Sequence, residues 1–116
     1  MKELHGIWQP LYAELGGEEA PKMMLDKMEI ELTDDGKYAV RFGGLTADHG
    51  TYTIEADGHL SLHGVAGPNE GRTIPGIFKF AGGALSICYG LGGKRPEKFH
   101  TAKDPELYLV NYTRKS

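Results

Sequence analysis

The chain has 116 residues, a formal net charge of −3 and one cysteine. This length fits a single domain, residues 1–116, with a core large enough to need no metal or disulfide. The acidic balance argues against a nucleic-acid surface, the lone Cys88 excludes an intrachain disulfide, and 40% hydrophobic with 25% charged residues argues against disorder.

The N-terminal residues Met1-Lys2-Glu3 lead into the first strand-like run without an apolar leader, so we expect no signal peptide. No apolar run approaches the roughly 20 residues that a membrane-spanning helix needs. We therefore expect no membrane span, and the compartment stays open.

The first predicted strand covers residues 6–14, where apolar and polar residues alternate. Pro10 cannot donate a hydrogen bond to a neighbouring strand. We therefore expect this strand to be interrupted, bulged or at a sheet edge at Pro10.

The single helix that the sequence predicts covers residues 20–27. Glu18 and Glu19 place negative charge near its N-terminus, and Pro21 suits a first helical turn. Its apolar stripe is expected to consist of Met24, Leu25 and Met28. Such a helix can cover one end of a barrel.

From Met28 onward the hydrophobic period is two, which is typical of strands. Turn sequences Asp34-Asp35-Gly36 and Ala56-Asp57-Gly58 predict hairpins, and Pro75-Gly76 predicts a break within one strand. Irregular loops are expected at residues 64–71 and 90–105. The strands predicted after the helix are residues 28–33, 37–42, 50–55, 59–63, 72–81, 84–89 and 106–113.

About eight strands joined by short connections predict an all-β fold. No helix separates consecutive strands, so a parallel sheet is disfavoured and sequential neighbours are expected to pair as an antiparallel meander. Eight twisted strands lose their edges by closing into an up-and-down barrel. A two-sheet sandwich is the alternative.

The segment Gly6-Ile7-Trp8 at the head of the first strand resembles the G-x-W signature of the lipocalin-like, or calycin, barrels. The resemblance implies that the tryptophan packs under the barrel floor and that a basic residue near the last strand lies across its indole. Arg114 is placed for that role. A guanidinium over an indole face is a favourable contact of about 1 kcal/mol.

A narrower resemblance covers nearly the whole chain and points to the uncharacterised small-domain family that is abundant in planctomycetes and related bacteria. It implies a lipocalin-like barrel and brings no activity with it. Members of that family often carry an export leader, which we do not expect in this chain. The matching features are Gly6-x-Trp8, Gly50-Thr51-Tyr52, Gly67-Pro68, Gly71-Arg72-Thr73, Gly76-Ile77-Phe78, Leu85-Ser86-Ile87-Cys88, Arg95-Pro96 with Phe99, and the basic end.

Catalytic and metal chemistry find little support in the residue pattern. His59 and His63 stand four apart in a strand, about 13 Å along one face, which is too far to share an ion. Asp48-His49 has no nucleophilic serine in an elbow motif, and Cys88 in a strand is typical of a buried apolar residue. We predict no catalytic residue, no metal and no cofactor.

The aromatic residues of the strands suggest a ligand site. If Trp8 points inward, five residues share the inward parity and form the candidate ligand site: Trp8, Tyr12, Tyr38, Tyr52 and Phe78. An eight-stranded barrel is just wide enough to be filled by side chains or to hold one small ligand.

The leading hypothesis is a non-enzymatic binding module for a small, partly apolar molecule in the barrel. The alternative is a filled barrel that acts as a protein-interaction or structural domain through its outer face and its loops. Oligomeric state and ligand identity stay open.

Overall fold

The computed structural model describes residues 2–115 as one nine-stranded antiparallel sheet with two short helices. A 3-10 helix, η1, covers Lys2–Leu4, and the α-helix α1 covers Lys22–Leu25. The strands are β1 (Gly6–Leu15), β2 (Glu18–Glu19), β3 (Met28–Leu32), β4 (Lys37–Phe42), β5 (Leu45–Ala56), β6 (His59–Ala66), β7 (Thr73–Ala81), β8 (Ala84–Gly90) and β9 (Leu107–Arg114).

The sheet closes on itself because the last strand pairs with the first. Sequential strands are neighbours from β3 to β9, β3 also pairs with β1, and β9 returns to β1. Eight strands thus form the barrel, while the two-residue β2 pairs only with the last two residues of β1. This confirms the predicted closed antiparallel barrel with one short helix after the first strand, and it excludes the sandwich.

The order of the strands gives the barrel two distinct ends. The closed end, as we call it, carries η1, the start of β1 and the turns after β3, β5 and β7. The open end carries α1, the β4–β5 turn and two loops, residues 67–72 and 91–106.

The α-helix is much shorter than the predicted residues 20–27. It makes a single turn of four residues, in which Leu25 is buried and Met24 is exposed. The predicted apolar stripe is therefore wrong for Met24, whereas Leu25 and Met28, the latter already in β3, pack in or against the core. The Lys27 carbonyl oxygen accepts a hydrogen bond from the Gly43 backbone N–H, so the chain joins the barrel wall before a second turn can form. None of the described helices has the length and apolarity to cross a membrane.

The break predicted at Pro75-Gly76 is wrong, because β7 runs through both residues. Pro75 pairs with Ser61 of β6, and the β7–β8 pairing begins only at Gly76. Pro75 therefore stands just outside the β7–β8 ladder, where a residue without an N–H is tolerated.

A second, smaller hydrophobic cluster lies outside the barrel wall. Ile77, Cys88 and Leu109 are buried there, with Phe99 of the 91–106 loop packed against them. Burial raises the pKa of the Cys88 thiol. The cluster explains why β9 is apolar on both faces, since Leu109 faces this loop while Val110 faces the barrel core.

Candidate ligand-binding site

Trp8 covers the closed end of the barrel. Its side chain is only 1% exposed, and its indole N–H donates to the Leu4 carbonyl oxygen at 2.9 Å. The guanidinium carbon of Arg114 lies 4.2 Å from the centre of the Trp8 ring, as the resemblance implied. Arg114 also donates to the carbonyl oxygens of Glu3 at 2.6 Å and His5 at 2.5 Å, which ties the N-terminal segment across this end.

Four of the five residues predicted for the ligand site lie in the barrel core: Trp8, Tyr38, Tyr52 and Phe78. The Tyr38 hydroxyl donates to Asp48 at 3.3 Å, and the Tyr52 hydroxyl donates to the Thr33 carbonyl oxygen at 2.7 Å. Both phenols are thus satisfied within the protein, so these four residues form packed core towards the closed end.

Tyr12 lies on the outer face, and the expectation that it points inward is wrong. The β1–β9 register shifts between Pro10 and Tyr12. A bulge of this kind adds one residue and reverses the alternation of faces beyond it. Ala13 therefore takes the inward position and is fully buried, while the Tyr12 hydroxyl donates to the Glu14 carboxylate at 3.1 Å.

A cavity of about 170 Å³ lies towards the open end. Cross-strand pairs supply much of its wall, since Ile30 pairs with Val40 and Leu62 pairs with Ile74. None of the five residues predicted from the sequence lines it. The apolar side chains that do are Pro10, Met28, Ile30, Val40, Leu62 and Ile74.

Asp48 supplies the unpaired carboxylate of the cavity wall, because the other carboxylate in the lining, Glu29, is paired with Arg41 and Lys115. It lies on β5 opposite Val40, with 8% of its surface exposed. Its Oδ2 accepts hydrogen bonds from the Asn69 amide at 2.8 Å and from the Tyr38 hydroxyl at 3.3 Å. Its Oδ1 is buried and has no hydrogen-bond partner within residues 2–115. Among the buried side-chain nitrogen and oxygen atoms of these residues, it is the one without a partner. Burying such an oxygen costs folding free energy unless a hydrogen-bond donor reaches it.

Three tyrosines of β8 and β9 form the aromatic wall of the cavity. The Tyr89 and Tyr112 hydroxyls lie 2.7 Å apart in a hydrogen bond, and the Tyr108 ring stacks on Tyr89 with centres 5.7 Å apart. Burial raises the pKa of all three phenols above the ordinary value of 10.0, so they stay neutral near pH 7. Since β5 and β9 lie half-way round the barrel from each other, the carboxylate of Asp48 faces this wall.

Arg72 connects the two loops that border the open end. Its guanidinium donates to the Asn69 side-chain oxygen at 3.4 Å and also to the Leu91 carbonyl oxygen. Asn69 and Leu91 both line the cavity. The Asn69 side chain, which donates to Asp48, is therefore itself held by Arg72.

A larger hollow of about 540 Å³ lies within the 91–106 loop and holds a mixture of charges, including Lys94, Lys98, Glu97 and Asp104. Buried unpaired polar atoms are the better guide to a ligand site than volume alone. By that measure the barrel cavity is the stronger candidate of the two.

The structure does not bring together the acid, base and histidine side chains that the sequence analysis considered for catalysis or metal binding. Asp48 points inward, whereas His49 is exposed on the outer face. His63 is engaged on the outer face with Thr53 at 3.3 Å and Thr73 at 3.1 Å. Within residues 2–115, no group of three or more His, Cys, Asp and Glu side chains is placed to hold a metal ion.

Sequence reasoning missed Asp48 because it started the fifth strand at residue 50. The signal was the alternation itself, since Gly50 and Tyr52 were assigned to one face and Asp48 is the next residue on that face.

Comparison with known proteins gives no match from which a function could be inferred. No protein-family model matches the chain, and no curated protein matches its sequence.

Proposed function

We propose that this protein is a non-enzymatic binding module that holds one small, partly apolar molecule in the open-end cavity. The observation that carries the proposal is Asp48 in the cavity wall: its Oδ1 is buried without a donor from the described residues, and most of the other lining side chains are apolar or aromatic. Binding pockets characteristically combine apolar walls with a few such orienting polar groups.

The volume of the cavity limits the size of the ligand. A 150 Å³ apolar cavity is large enough for benzene, so about 170 Å³ fits a molecule of roughly six to ten non-hydrogen atoms. A larger ligand would have to extend between the two loops at the open end.

The polar groups of the cavity suit binding better than chemistry. They are the carboxylates of Asp48 and Glu29, the Asn69 amide and three neutral phenols, which hold and orient a ligand. The thiol of Cys88 lies outside the barrel wall, and its raised pKa disfavours the thiolate that would act as a nucleophile.

We also propose kinship with the lipocalin-like barrels. The contact of Arg114 with Trp8 and the pairing of the first and last strands support this kinship. A cavity at the end away from the tryptophan agrees with a container of this type.

A cavity-filling variant tests the proposed function. A library of fragments with up to ten non-hydrogen atoms is titrated into the labelled protein and followed by NMR. Leu62→Phe fills the cavity, whereas Val65→Phe adds the same kind of ring to the exposed outer face of the same strand. Thermal unfolding of both variants checks that the barrel is intact.

We expect saturable binding to the wild type and to Val65→Phe, and a loss of more than about tenfold in Leu62→Phe, because the added ring occupies the ligand volume. Equal binding to all three proteins, or no binding by any fragment, would contradict the proposal.

A second candidate function rests on the apolar rim of the open end. Met23 is 77% exposed and Leu45 is 76% exposed, and Phe42 is also exposed. The α1 segment and the β4–β5 turn are neighbours, because Met28 pairs with Phe42. An exposed apolar rim is typical of an interaction surface. If a second copy of the chain is the partner, sedimentation will show a concentration-dependent dimer that Leu45→Ser abolishes, and a strict monomer at all concentrations would exclude it.

A further inference from the structure

The electrostatics of the cavity identify the class of ligand, provided that the proposed function holds. We infer that the ligand is a small organic cation, an amine of roughly six to ten non-hydrogen atoms, whose ammonium group lies between the Asp48 carboxylate and the tyrosine wall and whose apolar body packs against the aliphatic side chains of the cavity.

Among the described residues, none provides a counter-ion for Asp48. No ion pair joins it to a basic side chain in the part of the chain that the structure describes. Its neighbours at Oδ2 are an amide and a phenol, and both are neutral donors. A carboxylate with 8% exposure is stabilised strongly by a cation and is incompatible with an anionic ligand.

Two arginines near this carboxylate, one next to its β4 partner Val40 and one bonded to Asn69, are already engaged elsewhere. Arg41 pairs with Glu29 at 2.5 Å and Glu31 at 2.9 Å. Arg72 donates to Asn69 and to the Leu91 carbonyl oxygen. Neither arginine is free to turn towards Asp48 without breaking these contacts, so the positive charge must come with the ligand.

The aromatic wall favours the same ligand. An ammonium or alkylammonium group is attracted to the faces of tyrosine rings. Tyr89, Tyr108 and Tyr112 stand across the cavity from Asp48. A cation between the carboxylate and the rings gains from both sides, whereas a neutral ligand gains only from packing. The net charge of −3 also attracts cations towards the protein.

Three ligands that share one ring test the charge preference. Cyclopentylamine, cyclopentanol and cyclopentanecarboxylate differ mainly in the charge of one group. Each is titrated into the wild type, into Asp48→Asn and into Asp57→Asn. The Asp57 variant removes the same charge from the exposed turn at the closed end.

We expect the amine to bind the wild type at least about tenfold more tightly than the alcohol, with no saturable binding of the carboxylate. Asp48→Asn should abolish this preference, and Asp57→Asn should keep it. The comparison among ligands on the wild type stands by itself if Asp48→Asn fails to fold.

If the alcohol binds as tightly as the amine, the inference of a cationic ligand is wrong, while the proposed function still stands. The same holds if the carboxylate binds best. If none of the three ligands binds, the inference fails, and the fragment titration described above decides the proposed function separately.

Discussion

Trp8 and Arg114 pair directly across the seam between the first and last strands, and the guanidinium carbon lies 4.2 Å from the centre of the indole ring. The contact thus joins the two ends of the chain at the point where the barrel closes. It also holds the N-terminal segment, because Arg114 donates to two of its carbonyl oxygens.

Replacement of Arg114 should weaken the seam. We expect Arg114→Met to lower the free energy of unfolding by about 1–2 kcal/mol, since a cation–π contact and two hydrogen bonds are lost. Arg114→Lys should lose less, because the charge is kept. Urea unfolding with an unchanged m-value measures the effect, and Lys103→Met on the exposed loop is the control. A variant as stable as the control would show that the seam does not depend on this contact.

Gly64 allows the 67–72 loop to approach β6. A Cβ at Gly64 would lie 2.0 Å from the Asn69 carbonyl oxygen, so the loop would have to move. We expect Gly64→Ala to lower the free energy of unfolding by at least about 2 kcal/mol. It should also weaken ligand binding, because the displaced Asn69 donates to Asp48.

Gly71→Ala in the same loop is the matched control for Gly64→Ala. A Cβ at Gly71 meets no atom within 4 Å, and the cost is restricted to its positive φ of 77°. This cost is about 1 kcal/mol. Thermal unfolding and the amine titration report both effects, and normal binding by Gly64→Ala would show that the position of Asn69 is unimportant.

Tyr108 and Tyr12 distinguish the observed site from the one predicted from the sequence. Tyr108→Ala should weaken amine binding about fivefold or more, because Tyr108 lines the cavity. Tyr12→Ala should leave the affinity unchanged, because Tyr12 lies outside the barrel beyond the bulge. The reverse result in isothermal titration would place the ligand elsewhere.

Glu29 should make the protein sensitive to acid. Hydrogen bonds from Lys115 at 2.8 Å and Arg41 at 2.5 Å lower the pKa of Glu29 below its ordinary value of 4.5. Because the pKa is lower in the folded state, the stabilisation is complete above about pH 4.5 and is lost as the pH falls through the folded value.

Glu29→Gln should therefore be less stable than the wild type at pH 7 and converge with it in strong acid. Urea unfolding at several pH values between 7 and 3 follows the difference, with Glu70→Gln as a control for the loss of one negative charge. A difference that stays constant over this range would mean that the ionised carboxylate is not the stabilising form.

Local alternation predicted most of the barrel, because each strand with one buried face repeats every second residue. Ile30 and Leu32 are buried, as the alternation predicted. The turns at Asp34-Asp35-Gly36 and Asp57-Gly58 lie where the Asp-Gly sequences predicted them. Closure followed from the number of strands and the lack of intervening helices.

The candidate site was harder to predict, because it depends on small shifts that the alternation does not contain. One extra residue after Pro10 moved Tyr12 to the outer face. Five further residues at the start of β5 brought Asp48 into the wall. The inward positions of Tyr38 and Tyr52 were predicted, but the contacts that satisfy them become visible only in three dimensions. The three tyrosines that line the cavity were not predicted.

The most direct measurement is a cyclopentylamine titration of methyl-labelled protein, with Leu62 and Ile74 reporting on the cavity, Val65 on the outer face and the indole N–H of Trp8 on the closed end. We predict saturable shifts at Leu62 and Ile74, little change at Val65 and Trp8, and the loss of these shifts in Asp48→Asn. Shifts confined to Val65 or Trp8, or shifts at Leu62 and Ile74 that persist in Asp48→Asn, would contradict a site built on this carboxylate.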